Sequence, residues 1–378
     1  MHGVHFDIDP LAPGVRVRHE GGECALPALW LRERCQDPDH VDTYTRQRLF
    51  NPHELPEDLA LTAVETDDDD RIWLSFSDGY RGCYDLDELA DELDPRDHVP
   101  GPRPWDSGFD RSEVSFDWRG LSDETRLHTA LGVFLERGFL ILRNVPTDRE
   151  RILEVAETFG HTRETNFGRY FEVYSRPAAN DLAYGSMALG PHTDNPYREP
   201  VPGIQILHCL VNETSGGLST LADSLAVGRT LAAEDPGGFE LLASIPVRFR
   251  FIDAAGELVE RRPIIRRDAS GEMTGLHYSP RLDYLPLLEE GELRRFHRLR
   301  QRLGALLTDP GFELSFPLRA GELLLFDNNR IVHGRTAFDA NEGRRHLQGC
   351  YIDIDEPRSR YRTLSRRVHP HWTDTETP

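Results

Sequence analysis

The chain has 378 residues, 38% of them hydrophobic, which is enough for a substantial core in one large domain or in a large domain with a smaller one. Its 65 acidic residues outnumber 44 basic ones, and the formal charge of −21 opposes binding to the phosphate backbone of nucleic acids. No stretch approaches the roughly 18 consecutive apolar residues of a membrane span, and five scattered cysteines (Cys24, Cys35, Cys83, Cys209 and Cys350) do not make a disulfide framework.

The start, MHGVHFDIDPLAPG, has neither a basic n-region nor an apolar h-region, so a cytoplasmic location is expected. Residues 1 to 93 carry short segments in which apolar and polar residues alternate, such as GVRVRHEGG and RIWLSFSDGYRGCYDL, and are expected to form a small β-rich domain. TDDDD at 66 to 70 is expected to be a solvated hairpin turn. Residues 94 to 113 are rich in Pro, Gly and charge and are expected to be a linker to a second domain spanning 114 to 378.

In that second domain, SDETRLHTALGVFLERG predicts a helix capped at Ser122 and stopped at Gly138. A strand, FLILRNVP, follows. ADSLAVGRTLAAEDPGGFELLAS and PLLEEGELRRFHRLRQRLGALLTD have helical spacing of apolar positions, whereas GIQILHCLV, IPVRFRFI, GELLLFD and HLQGCYIDI read as strands. Neither G-x-G-x-x-G nor a P-loop nor an internal repeat is present, so a nucleotide-binding α/β architecture is not supported.

His192 and Asp194 stand two apart in LGPHTDNPYREP, just before the apolar run GIQILHC, and GELLLFDNNRIVHGR places His333 on a later strand. Two imidazoles and one carboxylate are the facial set that holds Fe(II) with open positions for O2. Arg345 follows His333 by twelve residues at the start of a predicted strand, where a guanidinium can bind the distal carboxylate of 2-oxoglutarate; Ser219 in GGLSTLADS is a hydroxyl donor to the same group.

With HTD at 192 to 194, PGIQILHC, GG-x-S at 216 to 219, FDNNRIVHGR and RHLQGCY, the second domain resembles the taurine dioxygenase-like Fe(II)/2-oxoglutarate oxygenases, most closely the γ-butyrobetaine hydroxylases. ALWLRERC near residue 28 resembles the start of that family's small N-terminal domain. The resemblance implies a mainly β fold with flanking helices: a double-stranded β-helix, or jelly-roll, catalytic domain. It implies His192, Asp194 and His333 as iron ligands, Arg345 as the 2-oxoglutarate anchor, and a homodimer.

The family's N-terminal domain often binds zinc through three cysteines and a histidine. Here Cys35 matches the first ligand, Asp37 and His40 stand where cysteines are expected, and the distant histidine position falls near Tyr80, leaving Cys35, His40 and Cys83 as a degraded set in which zinc is not expected.

The family's cage for a trimethylammonium group maps onto Phe167, Phe171, Tyr184 and Tyr351, where aromatic faces attract a cation that has no proton to donate. At the anionic end the chain departs from the γ-butyrobetaine enzymes. Asp181 takes one asparagine position, and Tyr278, Ser279 and Arg281 replace the other; Asn195 and Tyr197 are further donors. An arginine suits a phosphonate, so the expected substrate is 2-trimethylaminoethylphosphonate, with γ-butyrobetaine as the alternative. The alternative of another class is a jelly-roll without catalysis that senses a small molecule.

Overall fold

The computed structural model describes residues 5–7, 14–19, 22–67, 71–84, 89, 99–174, 186–254 and 256–368. The chain separates into two compact units, one within Met1–His98 and one within Val99–Trp372.

In the first unit, β1 (His5–Asp7), β2 (Gly14–His19) and β3 (Gly22–Pro27) form one antiparallel sheet, followed by the short helix α1 (Ala28–Arg32). A second antiparallel sheet contains β4 (Leu61–Thr66), β5 (Ile72–Phe76) and β6 (Arg81–Tyr84). The alternation read in RIWLSF is that of β5, which buries Ile72, Leu74 and Phe76 on one face. The acidic run lies between β4 and β5. Asp67 accepts from Arg71 Nε at 2.9 Å and Trp73 Nε1 at 3.0 Å, while residues 68–70 lie outside the described residues.

Cys35, His40 and Cys83 are not brought together: among the described residues, one other set alone places three His, Cys, Asp or Glu ligand atoms within 4.8 Å of one another. The space beside Cys35 holds the buried guanidinium of Arg32. It donates to Cys35 Sγ at 3.4 Å, pairs with Asp78 at 2.9 Å, and lies 3.9 Å from the Tyr80 ring and 4.6 Å from that of Phe50. His40 packs edge-on to Tyr80. These residues do not fit a zinc ion, because an organic cation already sits against the one matching cysteine.

The second unit begins inside the stretch read as linker. Trp105 is buried, its indole donates to Arg137 O at 2.8 Å and its backbone N–H to Asp223 at 3.2 Å. Residues 99–113 therefore pack into the catalytic unit; proline and glycine frequency did not reveal the buried indole. After β7 (Ser115–Asp117), helix α2 (Glu124–Arg137) is capped by Asp123, whose carboxylate accepts from Arg126 N, not by Ser122 as expected. It ends at Gly138 with φ +80°, as the sequence indicated.

Then come β8 (Phe139–Arg143), α3 (Arg151–Phe159), β9 (Phe171–Tyr174), β10 (Leu189–His192), β11 (Ile204–Asn212) and β12 (Ser219–Asp223). The next apolar stretch is two helices, α4 (Ser224–Glu234) and α5 (Pro236–Ser244), broken where Pro236 has no N–H to continue the ladder. The segment up to the last long helix holds β13 (Val247–Ile252), β14 (Glu257–Arg262), β15 (Ile265–Arg267), β16 (Met273–Leu276), β17 (Asp283–Tyr284) and α6 (Glu290–Leu307). The chain closes with β18 (Glu313–Phe316), β19 (Leu323–Asp327), β20 (Ile331–Arg335), β21 (Arg345–Ile352) and α7 (Glu356–Val368).

Two sheets make the jelly-roll: β10-β20-β12-β18, and β7-β8-β19-β11-β21-β9. Leu221, Phe316 and Ile331 from the first and Ile206, Leu325 and Leu347 from the second share one apolar core. A separate core joins α4, α5 and α6 to β13 through Val227, Leu242, Phe249 and Phe296.

The buried Asp223–Arg330 pair ties the end of β12 to the turn before β20. Arg330 donates to both carboxylate oxygens at 3.1 and 2.7 Å and also to the carbonyls of Glu136 and Arg103. That turn carries the chain into the strand bearing His333.

Candidate active site

His192 ends β10, and antiparallel pairing puts it directly opposite His333 on β20, with ring centroids 4.3 Å apart. Asp194 follows two residues after. Its Oδ1 lies 3.3 Å from His192 Nε2 and 3.8 Å from His333 Nε2, so three ligand atoms converge at one buried point. His192 Nδ1 is engaged by Gly190 O at 3.0 Å, so Nε2 is the ring nitrogen turned to Asp194.

Burial, reinforced by the neighbouring His192, pushes the His333 imidazole down to about 3, so it is neutral. Burial also disfavours the charged Asp194. Hydrogen bonds from His192 and Tyr351 and the nearby His333 outweigh that and hold its carboxyl well below the usual carboxylate range. Two imidazoles around one carboxylate, with space beyond them, fit Fe(II).

The loop bearing Asp194 is fixed by Asn328 and Thr193, which sequence reasoning did not single out, and by Tyr278, which it had placed at the anionic end of the substrate. Asn328, fully buried in the Asp-Asn-Asn turn, accepts from Asp194 N at 2.6 Å and donates to Asp194 O at 3.0 Å and Pro202 O at 2.9 Å. Thr193 is clamped to Tyr278: its N–H donates to Tyr278 O at 2.6 Å, and its hydroxyl accepts from Tyr278 N at 2.9 Å. The Asn-Asn dipeptide between two apolar strands was a readable signal for Asn328. The Thr193–Tyr278 clamp spans 85 positions and had none.

Arg345 opens β21 and is 8% exposed. Its Nη2 donates to Gly217 O at 3.2 Å, its Nε is buried without a partner, and no ion pair satisfies its charge among the described residues. A buried guanidinium of this kind fits the distal carboxylate of 2-oxoglutarate. Gly217 has φ +66°, and a Cβ there would stand 2.7 Å from Arg345 Nε, which gives the GG-x-S motif its physical reason. Ser219 is buried on β12, directly opposite Arg335 of β20. Arg335, a second buried arginine, shares the Phe338 ring with Arg345 at 5.0 and 5.4 Å. Burial and the charge of Arg345 lower it to about 10.

A cavity of about 390 Å³ opens beside the triad, sized for a small molecule rather than a polymer. Phe167, Phe171, Tyr351, Asn195, Tyr197, Ser279 and Arg281 line it together with His192 and Asp194; Tyr184 and Asp181 lie outside the described residues. Phe251 on β13 is an aromatic wall that the alternation of VRFRF did not announce. It stacks on Tyr197 at 5.0 Å and meets Phe167 edge-on at 6.3 Å. Tyr197 donates to Asn195 Oδ1 at 2.5 Å, so these two side chains engage each other. Tyr278 is buried in the second core, leaving Ser279 and Arg281 as the members of that segment that face the cavity.

Residues 101–351 match the family described as taurine catabolism dioxygenase TauD, TfdA, and residues 14–90 match the γ-butyrobetaine hydroxylase-like N-terminal family. The chain is 34% identical to a γ-butyrobetaine dioxygenase of Pseudomonas sp. (strain AK-1), covering 94% of each chain. It is 28% identical to a trimethyllysine dioxygenase of Meyerozyma guilliermondii, covering 93% of each. Among solved structures, one of asparagine oxygenase aligns with a TM-score of 0.51 over 61% of this chain and 79% of that one, at 20% identity, which speaks to the fold alone. Among the described residues no helix is long and apolar enough to cross a membrane. The chain belongs to the TauD/TfdA family and is an Fe(II)/2-oxoglutarate-dependent dioxygenase with a jelly-roll catalytic domain.

Proposed function

We propose that His192, Asp194 and His333 hold the iron, that Arg345 with Ser219 holds the distal carboxylate of 2-oxoglutarate, and that the substrate is a small trimethylammonium zwitterion. The bound ion would supply the coupling of 2-oxoglutarate decarboxylation to succinate with oxygen transfer from O2 to a substrate C–H bond. The protein's own side chains position that bond. The faces of Phe167, Phe171 and Tyr351 suit an ammonium that has no proton to donate, and Phe251 adds a fourth aromatic ring. Two relatives whose names carry trimethylammonium compounds, γ-butyrobetaine and trimethyllysine, support this class.

One observation carries the choice of anion. Arg281 lines the cavity with no hydrogen-bond or ion-pair partner among the described residues, because Asp283, two residues on, is taken by Arg300 at 3.5 Å. Arg250, the other arginine of the lining, is engaged by Glu257 at 2.6 Å. An uncommitted guanidinium best suits a phosphonate with up to two charges, so 2-trimethylaminoethylphosphonate is the favoured substrate and γ-butyrobetaine the second reading.

Succinate formation by the iron-loaded protein is measured with each compound side by side. The phosphonate is expected to be turned over with the higher kcat/KM, and Arg281→Ala to raise its KM about 10- to 100-fold, the worth of one charge-assisted hydrogen bond. Preference for γ-butyrobetaine, or indifference to Arg281→Ala, refutes the phosphonate reading. Substrate-dependent succinate surviving in His192→Ala or Asp194→Ala refutes the triad.

A further inference from the structure

Tyr351 lines the substrate cavity, and its hydroxyl is engaged by Asp194, a residue of the same lining. The residue is 3% exposed on β21, and its hydroxyl oxygen lies 2.7 Å from Asp194 Oδ2. An ionised carboxylate can only accept, so the phenol donates. The two oxygens of Asp194 are thereby given different work. Oδ2 is held by Tyr351, while Oδ1 faces Nε2 of both histidines. The backbone of the same aspartate is fixed independently by Asn328.

We propose that Tyr351 is a positioning residue for the metal as well as a wall of the substrate cavity: its hydroxyl holds Asp194 Oδ2 so that Oδ1 alone is presented to the ion. A carboxylate with a free second oxygen can swing to bind through both, which fills a coordination position that chemistry at this site requires open. Anchoring Oδ2 prevents this. One side chain thus does both tasks, the ring at the cavity and the hydroxyl at the ligand. Phe171 is the near neighbour, 5.5 Å away between centroids, and it covers Gly349, where a Cβ would stand 2.3 Å from the Phe171 ring.

The inference rests on the triad assignment above but not on the identity of the substrate, so it is tested without substrate. Co(II), a spectroscopic stand-in for iron, is titrated anaerobically into the wild type, Tyr351→Phe and Phe171→Leu, following the d–d absorption and the dissociation constant. Tyr351→Phe keeps the ring and removes one hydroxyl. It is expected to weaken Co(II) binding by about 10- to 100-fold, the usual effect of losing a hydrogen bond to a metal ligand, and to alter the absorption spectrum. Phe171→Leu, which changes the packing on the ring but leaves the hydroxyl, is expected to bind Co(II) within about twofold of wild type. Wild-type affinity and spectrum in Tyr351→Phe overturn the proposal. Equal weakening in both variants also overturns it, because ring packing and not the hydroxyl would then set the affinity. Failure of the wild type to bind Co(II) at all refutes the triad and the proposal with it.

Discussion

Replacing Asn328 with alanine tests whether the metal site is built by the turn before β20. The side chain is fully buried and makes three hydrogen bonds, at 2.6 and 3.0 Å to the backbone of Asp194 and at 2.9 Å to Pro202 O. At about 1 kcal/mol net for each, the loss is about 3 kcal/mol, and the backbone groups left buried without partners push it higher. A change of this size lowers the melting temperature by several degrees. The functional effect is larger than stability alone would give, since Asp194 loses the contacts that fix its backbone, and a ligand displaced by about 1 Å costs on the order of a hundredfold in rate. Thermal melting of the metal-free protein, Co(II) titration and succinate formation separate the two effects. Asn328→Asp keeps an acceptor for Asp194 N–H but turns one oxygen toward two carbonyls, so it is expected to be no better than alanine. Melting within 1 °C of wild type together with unchanged Co(II) affinity in Asn328→Ala would refute the reasoning.

Arg330→Ala leaves Asp223 buried and unpaired and is expected to destabilise the protein by about 3 to 5 kcal/mol in urea unfolding, whereas removing both partners together costs less than the sum of the single losses. Burial pushes His277 and His208 down to about 4, below their unfolded value of about 6.5. Both are therefore neutral in the folded chain, and the unfolded chain binds their protons first. Stability is full above about pH 6.5 and falls as pH drops from there towards 4, by about 2 kcal/mol per group at pH 5. Melting of the metal-free protein across that range checks this, and His277→Gln should flatten the slope. Arg345→Lys keeps the charge but loses the planar fork. It is expected to raise the KM for 2-oxoglutarate by about tenfold or more while changing the KM of the second substrate little; an unchanged 2-oxoglutarate KM removes Arg345 from that role.

The residues that recur on one strand or one turn were legible, because strand pairing converts local pattern into position. His192 and Asp194 are two apart at the end of β10, and His333 follows an apolar strand and a turn. Antiparallel pairing of β10 with β20 then sets the two histidines opposite each other. Arg345 was legible for a similar reason, standing at the head of an apolar strand. Residues acting across long separations were not: Thr193 meets Tyr278, Trp105 meets Asp223, and nothing in the local spacing of either marks the partner. The helix cap was misplaced by one residue because Ser122 and Asp123 are both good caps, and only the geometry of the Arg126 N–H chooses between them.

The zinc position shows how composition and contacts combine. Counting ligand types left Cys35, His40 and Cys83 as three donors for an ion, but the fold uses Cys35 and Tyr80 as the surroundings of Arg32, whose charge Asp78 balances. The cavity follows the same accounting with the opposite result. Asp283 and Glu257 are committed to Arg300 and Arg250, so the guanidinium that remains uncommitted among the described residues of the lining is Arg281. In the small domain the buried cation, Arg32, is paired with a carboxylate. The two guanidiniums given a ligand in the catalytic domain, Arg345 and Arg281, differ in setting: the first is buried and the second is at an exposed part of the cavity wall. That difference matches the ligands proposed for them, a co-substrate enclosed by the protein and a substrate anion held nearer to solvent.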